Sequence, residues 1–433
     1  MSIKDLYNIY LQHPSIKTDT RKIAKGDIFF ALKGPNFNGN HFAEQAIKDG
    51  ASYAIIDEEI NYKNEKIIKT DDVLLTLQQL AKHHREQFNT LPAGRQVPFI
   101  AITGSNGKTT TKELVHEVLS SSYKTFTTEG NLNNHIGIPL TILKIKRDAE
   151  IAVVEMGANH QKEIEAYCSY AMPTHGLITN LGKAHLEGFG GIEGVKKGKG
   201  ELFDFLKKNN GTAFVNCDDN YIKEISEGIK NITYGTAEGS VTGKVKSTSS
   251  FLEIEIIKGA NTGSIKTQMV GGYNLLNVLA AVTIGKYFNV ADEKIKSAIE
   301  NYTPSNSRSQ LIKRGSNTII LDAYNANPAS MKAAIENFAQ MQGTNKILFI
   351  GSMMELGNES EKEHKELIKL IDKYKWRNVI LVGNNFKNIK HSYTHFDNAA
   401  TAKTWLNTQH LEDSQLLIKG SRSMQMEKVL EAE

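Results

Sequence analysis

The chain has 433 residues, too many for one ordinary hydrophobic core, and at 40% hydrophobic and 23% charged it reads as a globular protein of two or three domains. A formal net charge of +4 over that length gives no reason to expect a nucleic-acid partner, and no basic run forms a binding arm. The opening Met1-Ser2-Ile3-Lys4-Asp5 lacks the apolar core of a signal peptide and no stretch reaches the length of a membrane span, so no membrane partner and a cytoplasmic location are expected. Two cysteines, Cys168 and Cys217, are too few for a disulfide framework or a zinc site of their own, and each reads as a small buried hydrophobe.

The first section, residues 1–95, holds short strand-like runs at 27–32 and 51–57 and a helical stretch at 73–88. A loop containing Pro92, Gly94 and Pro98 reads as a linker. The apolar run 97–103 then predicts a buried strand, and Gly104-Ser105-Asn106-Gly107-Lys108-Thr109-Thr110 turns from it into a helical pattern at 111–119. Strand, glycine-rich turn and helix is the context of a phosphate-binding loop. The glycines let the backbone wrap an anion, and the N–H groups and positive helix end face it. Lys108 supplies a point charge for the β- and γ-phosphates, and Thr109 a hydroxyl for Mg²⁺. The common spacing of such loops would put glycine at 102, where this chain has Ile102, so the loop is a variant.

The remainder of the second section, to residue 309, alternates short β-rich runs at 151–155 and 176–180 with helical patterns ending at 192–207, which predicts a parallel sheet with crossover helices. Residues 212–270 are strand-rich and 275–288 helical. The third section, 310–433, has strands predicted at 318–321, 346–350, 379–382 and 416–418 between helical stretches, a second and doubly wound α/β unit. Polar residues follow several of these strands, at Gly104, Glu155, Asn180, Asp322 and Gly351 onward. Ligands bind at the carboxyl ends of strands in open α/β sheets, so two such edges facing each other would make a cleft for a multi-substrate enzyme.

Glu155 ends an apolar strand, where a carboxylate beside the phosphate loop is placed to hold Mg²⁺; a capping or surface glutamate is the plainer alternative. His185 lies between glycine turns, whereas Lys199 lies among other lysines in what reads as a solvated helix face. Asp322-Ala323-Tyr324-Asn325-Ala326-Asn327-Pro328 follows a strand, with Pro328 suited to a first helical turn. That loop could contact a nucleotide or a second substrate, or Asp322 could serve only the turn.

Together these segments resemble the Mur ligases over nearly the whole chain. The resemblance rests on Thr103 through Thr110 and on Gly130-Asn131-Leu132-Asn133-Asn134-His135-Ile136-Gly137-Ile138-Pro139. It continues through Glu155-Met156-Gly157, His185-Leu186-Glu187-Gly188-Phe189, Lys199-Gly200-Glu201, the Asp322 segment and Lys419-Gly420-Ser421-Arg422-Ser423-Met424. Thr18-Asp19-Thr20-Arg21 and Gly39-Asn40-His41-Phe42 resemble the family's uridine-nucleotide segments. The Tyr-Asn-Ala-Asn-Pro and Lys-Gly-Ser-Arg segments resemble those of the member that adds D-alanyl-D-alanine.

The resemblance implies an α/β protein of three domains: a small UDP-binding domain at 1–95, a central P-loop ATPase domain at 96–309 and a Rossmann-like domain at 310–433. It implies an ATP-dependent amide ligase of cytoplasmic peptidoglycan precursor synthesis, with UDP-N-acetylmuramoyl-tripeptide and D-alanyl-D-alanine as substrates and an acyl phosphate between them. Lys108, Glu155, His185 and Lys199 are the implied catalytic residues. ATP falls to Gly104, Ser105, Asn106, Gly107, Lys108, Thr109, Thr110, Asn274, Asn277, Arg308 and Asn325. The uridine substrate falls to Thr18, Asp19, Thr20, Arg21, His41, Asn131 and Asn134, and the dipeptide side to Asp322, Tyr324 and Asn327.

Two Mg²⁺ sites are implied, one on Thr109 and Glu155 and one on Glu155, His185 and a Lys199 carrying a CO₂-derived carbamate. Carbamylation turns a cation into an anionic oxygen ligand and needs the neutral amine, so a depressed Lys199 pKa is expected. A monomer is expected. The chain departs from the family pattern at Tyr273, where the family has histidine, and at Ser352, where it has aspartate; Ser352 is given no role, and Ser307-Arg308 keeps the family's arginine. Two other readings stay open: a Mur ligase adding a single amino acid, whose Asp-Asn-Pro-Arg segment is missing here, and a P-loop kinase or nucleotide-switched binding protein, which has no reason for the third section. The third residue of the tripeptide, diaminopimelate or lysine, also stays open.

Overall fold

The computed structural model describes residues 1–62, 64–89, 96–305 and 307–431. Pro92 and Gly94 of the expected linker lie outside the described residues. Among the described residues the strands form three larger sheets and one two-stranded hairpin.

The N-terminal sheet is parallel, in the order β1 (Ile16–Lys17), β2 (Ile28–Phe30), β5 (Tyr53–Ile56) and β6 (Ile67–Lys69), with the hairpin β3 (Lys33–Gly34) and β4 (Phe37–Asn38) beside it. Helices α1 (Ile3–Gln12), α2 (Ala43–Lys48) and α3 (Val73–Glu86) accompany it. Asp72 caps α3 by accepting the Leu75 N–H at 2.7 Å, and Leu77, Leu80 and Ala81 recur on its buried face.

The central section contains β7 (Phe99–Thr103), α4 (Lys108–Ser120), β8 (Thr125–Thr127), α5 (Gly137–Leu143), β9 (Ile151–Glu155), α6 (Glu163–Ala171) and β10 (His175–Ile178). It continues with α7 (Leu186–Phe189), α8 (Ile192–Lys208), β11 (Thr212–Asn216), α9 (Asn220–Ile225), β12 (Lys230–Gly235) and β13 (Val241–Ser247). β14 (Glu253–Lys258), β15 (Ser264–Lys266), α10 (Leu275–Tyr287) and α11 (Asp292–Asn301) complete it. The strand order is β15-β14-β13-β12-β11-β10-β7-β9-β8, parallel from β8 to β13 and antiparallel at β14 and β15. All five residues of β7 are buried because alternate side chains face opposite helix layers. Ile100 and Ile102 pack with α4, α10 and α11, while Phe99 and Ala101 pack with α5, α6 and α8.

The C-terminal section has β16 (Gln310–Arg314), β17 (Asn317–Asp322), α12 (Pro328–Gln340), β18 (Lys346–Gly351), α13 (Ser360–Ile371), β19 (Asn378–Val382), β20 (Thr394–Phe396), α14 (Ala399–Thr408) and β21 (Gln415–Lys419). Its sheet runs β16-β17-β21-β18-β19-β20, parallel except at the β16 edge. Met331 and Ile335 of α12 and Leu367 of α13 pack on Leu348 and Leu417, whereas Ala399 and Ala402 of α14 pack on Phe349 and Ile418, so the unit is doubly wound. No described helix is long and apolar enough to cross a membrane.

Several expectations need correcting. Helix α4 starts at Lys108, three residues before its apolar pattern, because Gly107 takes the left-handed cap position at φ +78°. The strand-rich stretch is interrupted by α9, which Asp219 caps. Cys168 is buried, but Cys217 is only half-buried, since the chain has already left the sheet in the turn after β11. Among the described residues no sheet joins strands from before residue 96 to strands after it, or from before residue 310 to strands after it, and on that ground we propose domains at 1–95, 96–309 and 310–433.

Candidate active site

The carboxyl ends of β7, β9 and β10 open into a cavity of about 660 Å³, whose far wall is the loop after β17. Its floor is the glycine turn. A Cβ at Gly104 would lie 2.1 Å from Thr179 Oγ1, and one at Gly107 2.6 Å from Asn277 Oδ1, so neither position admits a side chain. Asn106 is tied into this floor: its N–H donates to Asn180 Oδ1 at 3.0 Å, and its carbonyl accepts from Thr179 Oγ1 at 2.6 Å and Asn180 Nδ2 at 3.0 Å. Lys108 folds back to donate to the carbonyls of Gly104 at 2.8 Å and Ser105 at 3.3 Å. Burial lowers its pKa while the Glu155 charge opposes that shift.

Glu155 is buried at the end of β9, which pairs with β7, so it sits beside the turn. Asn133 donates to its Oε1 at 2.7 Å, while its Oε2 is buried with no hydrogen-bond partner. An enclosed carboxylate oxygen without a donor is the chemistry a hard cation satisfies. Together with the neighbouring Thr109 hydroxyl it fits Mg²⁺. Among the described residues no three His, Cys, Asp or Glu side chains converge, so such an ion would draw its remaining ligands from other oxygens.

Lys199 does not line the cavity; its Nζ lies just behind the wall, donating to the Ala158 carbonyl at 2.8 Å and 4.9 Å from the centre of the Phe189 ring. Burial and then the Lys108 charge hold its pKa well below the usual lysine range, as the neutral-amine expectation requires. The solvated-face reading of Lys199 is therefore wrong: α8 turns this lysine inward, 1% exposed.

The opposite wall is cationic. Asp322 at the end of β17 pairs with Lys419 at 2.6 Å and accepts the Ser309 N–H at 3.2 Å. The Tyr324 ring lies 3.5 Å from the Arg308 guanidinium and 5.9 Å from that of Arg422. Arg308 Nε is buried without a partner. Asn327 caps α12 through the Ser330 N–H at 2.9 Å and, from the same side chain, donates to Asn106 Oδ1 at 2.7 Å. Asn325 Oδ1 accepts the neighbouring Ala326 N–H at 2.9 Å. Asn274 and Asn277 line the cavity bonded to each other at 2.9 Å, and Tyr273 reaches Ser309 Oγ at 2.9 Å.

His185 lines the cavity in a left-handed conformation, φ +52°, with Nδ1 2.5 Å from Oε2 of Glu355 in the C-terminal domain. That contact holds the Glu355 carboxyl below the usual glutamate range. Asn131 and Asn134 also line the cavity, and Asn134 Oδ1 accepts the N–H groups of Ile136 at 3.2 Å and Gly137 at 2.8 Å in the turn leading into α5. Thr18, Asp19, Thr20, Arg21 and His41 do not line it; they belong to the N-terminal sheet region, where Arg21 and Asp19 form a fork of two 2.9 Å bonds. Asn133, Glu355 and the Asn106–Asn327 bond were not expected from sequence. Asn133 stands inside a quoted segment and Glu355 in the polar stretch from Gly351 onward, but nothing in the spacing shows which side chains they meet.

Comparison with known proteins agrees with this geometry. The Mur ligase middle domain matches residues 102–285, the Mur ligase glutamate ligase domain 307–424, and the Mur ligase family catalytic domain 14–85. A UDP-N-acetylmuramoyl-tripeptide–D-alanyl-D-alanine ligase of Bacillus subtilis is 35% identical over 365 residues, 81% of this chain and 76% of that protein. The Escherichia coli ligase of the same name is 34% identical over 430 residues, 96% of this chain and 93% of that protein. A crystal structure of MurF from Acinetobacter baumannii superposes with a TM-score of 0.86 at 30% identity, covering 96% of this chain and 92% of the other. MurF from Thermotoga maritima in complex with ADP gives 0.84 at 26% identity, covering 97% of each chain. A phosphate loop, an open carboxylate beside it and similarity along nearly the whole length lead to one conclusion: the chain belongs to the Mur ligase family.

Proposed function

We propose that this chain is an ATP-dependent ligase that joins D-alanyl-D-alanine to UDP-N-acetylmuramoyl-tripeptide in peptidoglycan precursor synthesis. The observation that carries the reading is a single cavity with the phosphate loop and Glu155 on one wall and Lys419, Arg308 and Tyr324 on the other. ATP lies on Gly104 through Thr110, with Asn274, Asn277, Arg308 and Asn325 around the rest of the nucleotide. The tripeptide carboxylate attacks the γ-phosphorus, ADP leaves, and the dipeptide amine displaces phosphate from the acyl carbon. Carboxylate and γ-phosphate are both anionic, so Lys108 acts by placing positive charge where they meet. Thr109 and Glu155 would hold Mg²⁺, and Glu155, His185 and a carbamate on Lys199 a second ion, which supply further charge neutralisation when bound.

Asp322, Tyr324 and Asn327 face the dipeptide side. Thr18, Asp19, Thr20, Arg21 and His41, with Asn131 and Asn134 nearer the cavity, would take the uridine substrate. The test is phosphate release from ATP with amide product followed by mass spectrometry. Release should require the UDP-tripeptide and D-alanyl-D-alanine together; release without the dipeptide, or none with every substrate present, refutes the reading. Running diaminopimelate- and lysine-containing tripeptides in parallel identifies the third residue.

A further inference from the structure

The loop that carries His185 is a strap between two domains. At its start, the Gly182 N–H donates to Ser105 Oγ of the phosphate loop at 2.9 Å, and that hydroxyl donates to the Gly182 carbonyl at 3.0 Å. From there every second residue meets the C-terminal domain. Lys183 Nζ lies 2.6 Å from Glu363 Oε1, His185 Nδ1 lies 2.5 Å from Glu355 Oε2, and the Glu187 Cβ lies 3.3 Å from where a Cβ on Gly357 would stand.

The first contact differs in kind from the others. Lys183 and Glu363 both lie outside the cavity lining, so neither touches a substrate held there. The Glu363 side chain, in the first turn of α13, is 8% exposed while that of Lys183 is 50% exposed. An enclosed carboxylate that loses the one cation within 4 Å of it among the described residues is left poorly compensated, so the pair holds more firmly than a surface bridge.

We propose that Lys183 and Glu363 are positioning residues: their ion pair fixes the strap on the C-terminal domain and so sets where His185 stands beside the phosphate loop. The Lys183 end is exposed enough to be changed without disturbing the core. The catalytic half of this statement rests on the ligase reading above; the mechanical half does not.

Hydrogen exchange on the full-length chain tests the mechanical half. Lys183→Met should speed exchange of the amides at 183–189 by about tenfold, whereas Lys183→Arg should leave them near wild type. Glu363→Gln should have the same effect, and combining it with Lys183→Met should add little. Unchanged exchange in Lys183→Met, or single effects that simply multiply in the double variant, overturns the proposal. In the ligation assay Lys183→Met should lower kcat about tenfold with KM for the UDP substrate unchanged. A loosened strap with wild-type kcat overturns the positioning role. Wild-type protein that makes no amide refutes the ligase reading and leaves the exchange result standing.

Discussion

The central domain holds its two neighbours by different means. On the N-terminal side, buried side chains of α3 bond to backbone carbonyls. Arg85 donates to Ala171 at 3.0 Å and Met172 at 2.8 Å with its guanidinium 3.9 Å from the centre of the Phe99 ring, and His84 Nε2 meets the Ile145 carbonyl at 2.8 Å. Tyr10 reaches the Leu143 carbonyl from α1, and Leu77, Leu80 and Phe88 share a core with Ile138, Ile142 and Tyr167. That core also continues through Leu186 into Leu356 and Met331 of the C-terminal section, so the two boundaries differ in their polar bonds rather than in apolar continuity. On the C-terminal side, away from the connecting residues 307–309, the polar bridges among the described residues run between side chains: Asn327 to Asn106, Glu363 to Lys183 and Glu355 to His185. Carbonyls of a packed helix end cannot move to follow a partner, while side-chain pairs at a cleft release more readily, the enclosed Lys183–Glu363 pair last of them. We infer that the first boundary is the stiffer joint and that the second is the one suited to opening and closing around a ligand.

The largest expected effect lies at neither boundary but in the cleft between them. Lys108→Ala should cut kcat by at least about a thousandfold, because it removes charge from the transferring phosphoryl group. Near-normal turnover would show that the chemistry happens elsewhere and that the comparison has no bearing on it. Next, Arg85→Ala should destabilise the protein by about 3 kcal/mol in denaturant unfolding, since it strands buried carbonyls as well as removing packing. A loss below about 1 kcal/mol would mean that the N-terminal boundary is no firmer than the other.

Acid offers a third measure. Burial lowers the His84 pKa below the usual histidine value, so the folded protein resists a proton that the unfolded chain accepts. Its contribution is full above about pH 6.5 and declines as the pH falls toward the depressed folded value, by up to about 1.4 kcal/mol per pH unit. His175, lowered to about 4 by burial, and His364 have the same sign. The informative comparison is thus wild type against His84→Gln, whose stability should fall less steeply between pH 6.5 and 5. Identical slopes would remove His84 from the stiffer joint.

The smallest effect sharpens the movable side. Asn327→Ser keeps an oxygen to cap α12 but is too short to reach Asn106. Stability should stay within about 0.5 kcal/mol while kcat/KM for the dipeptide falls about fivefold, the worth of one hydrogen bond. An equal drop in stability and activity would assign the bond to folding alone.

Much of the scaffold was legible because its strands are continuous apolar runs covered on both faces. β7, β9, β18, β19 and β21 fall within a residue or two of where the sequence places them. β16 and β20 escaped notice because they are edge strands of mixed exposure, and α9 because six residues are too few to display a helical period. Lys108 and Glu155 are legible as neighbours, since Lys108 follows β7, Glu155 ends β9 and those strands pair. The pairing of His185 with Glu355, or of Asn106 with Asn327, is not. Those contacts depend on how one domain sits on another, and no local pattern records that. Lys199 shows the converse: its neighbours suggest a wet helix face, and only the turn of α8 against Phe189 reveals a dry one.

Arg85 also decides how this molecule can be taken apart. A fragment starting at the central domain would expose the Phe99 ring and leave the Ala171 and Met172 carbonyls without their donor. The N-terminal and central sections are thus expected to tolerate exchange only as one block, whereas the C-terminal section can be exchanged with every Arg85 bond kept. A chimera should therefore be joined at the 309–310 boundary, never near 95.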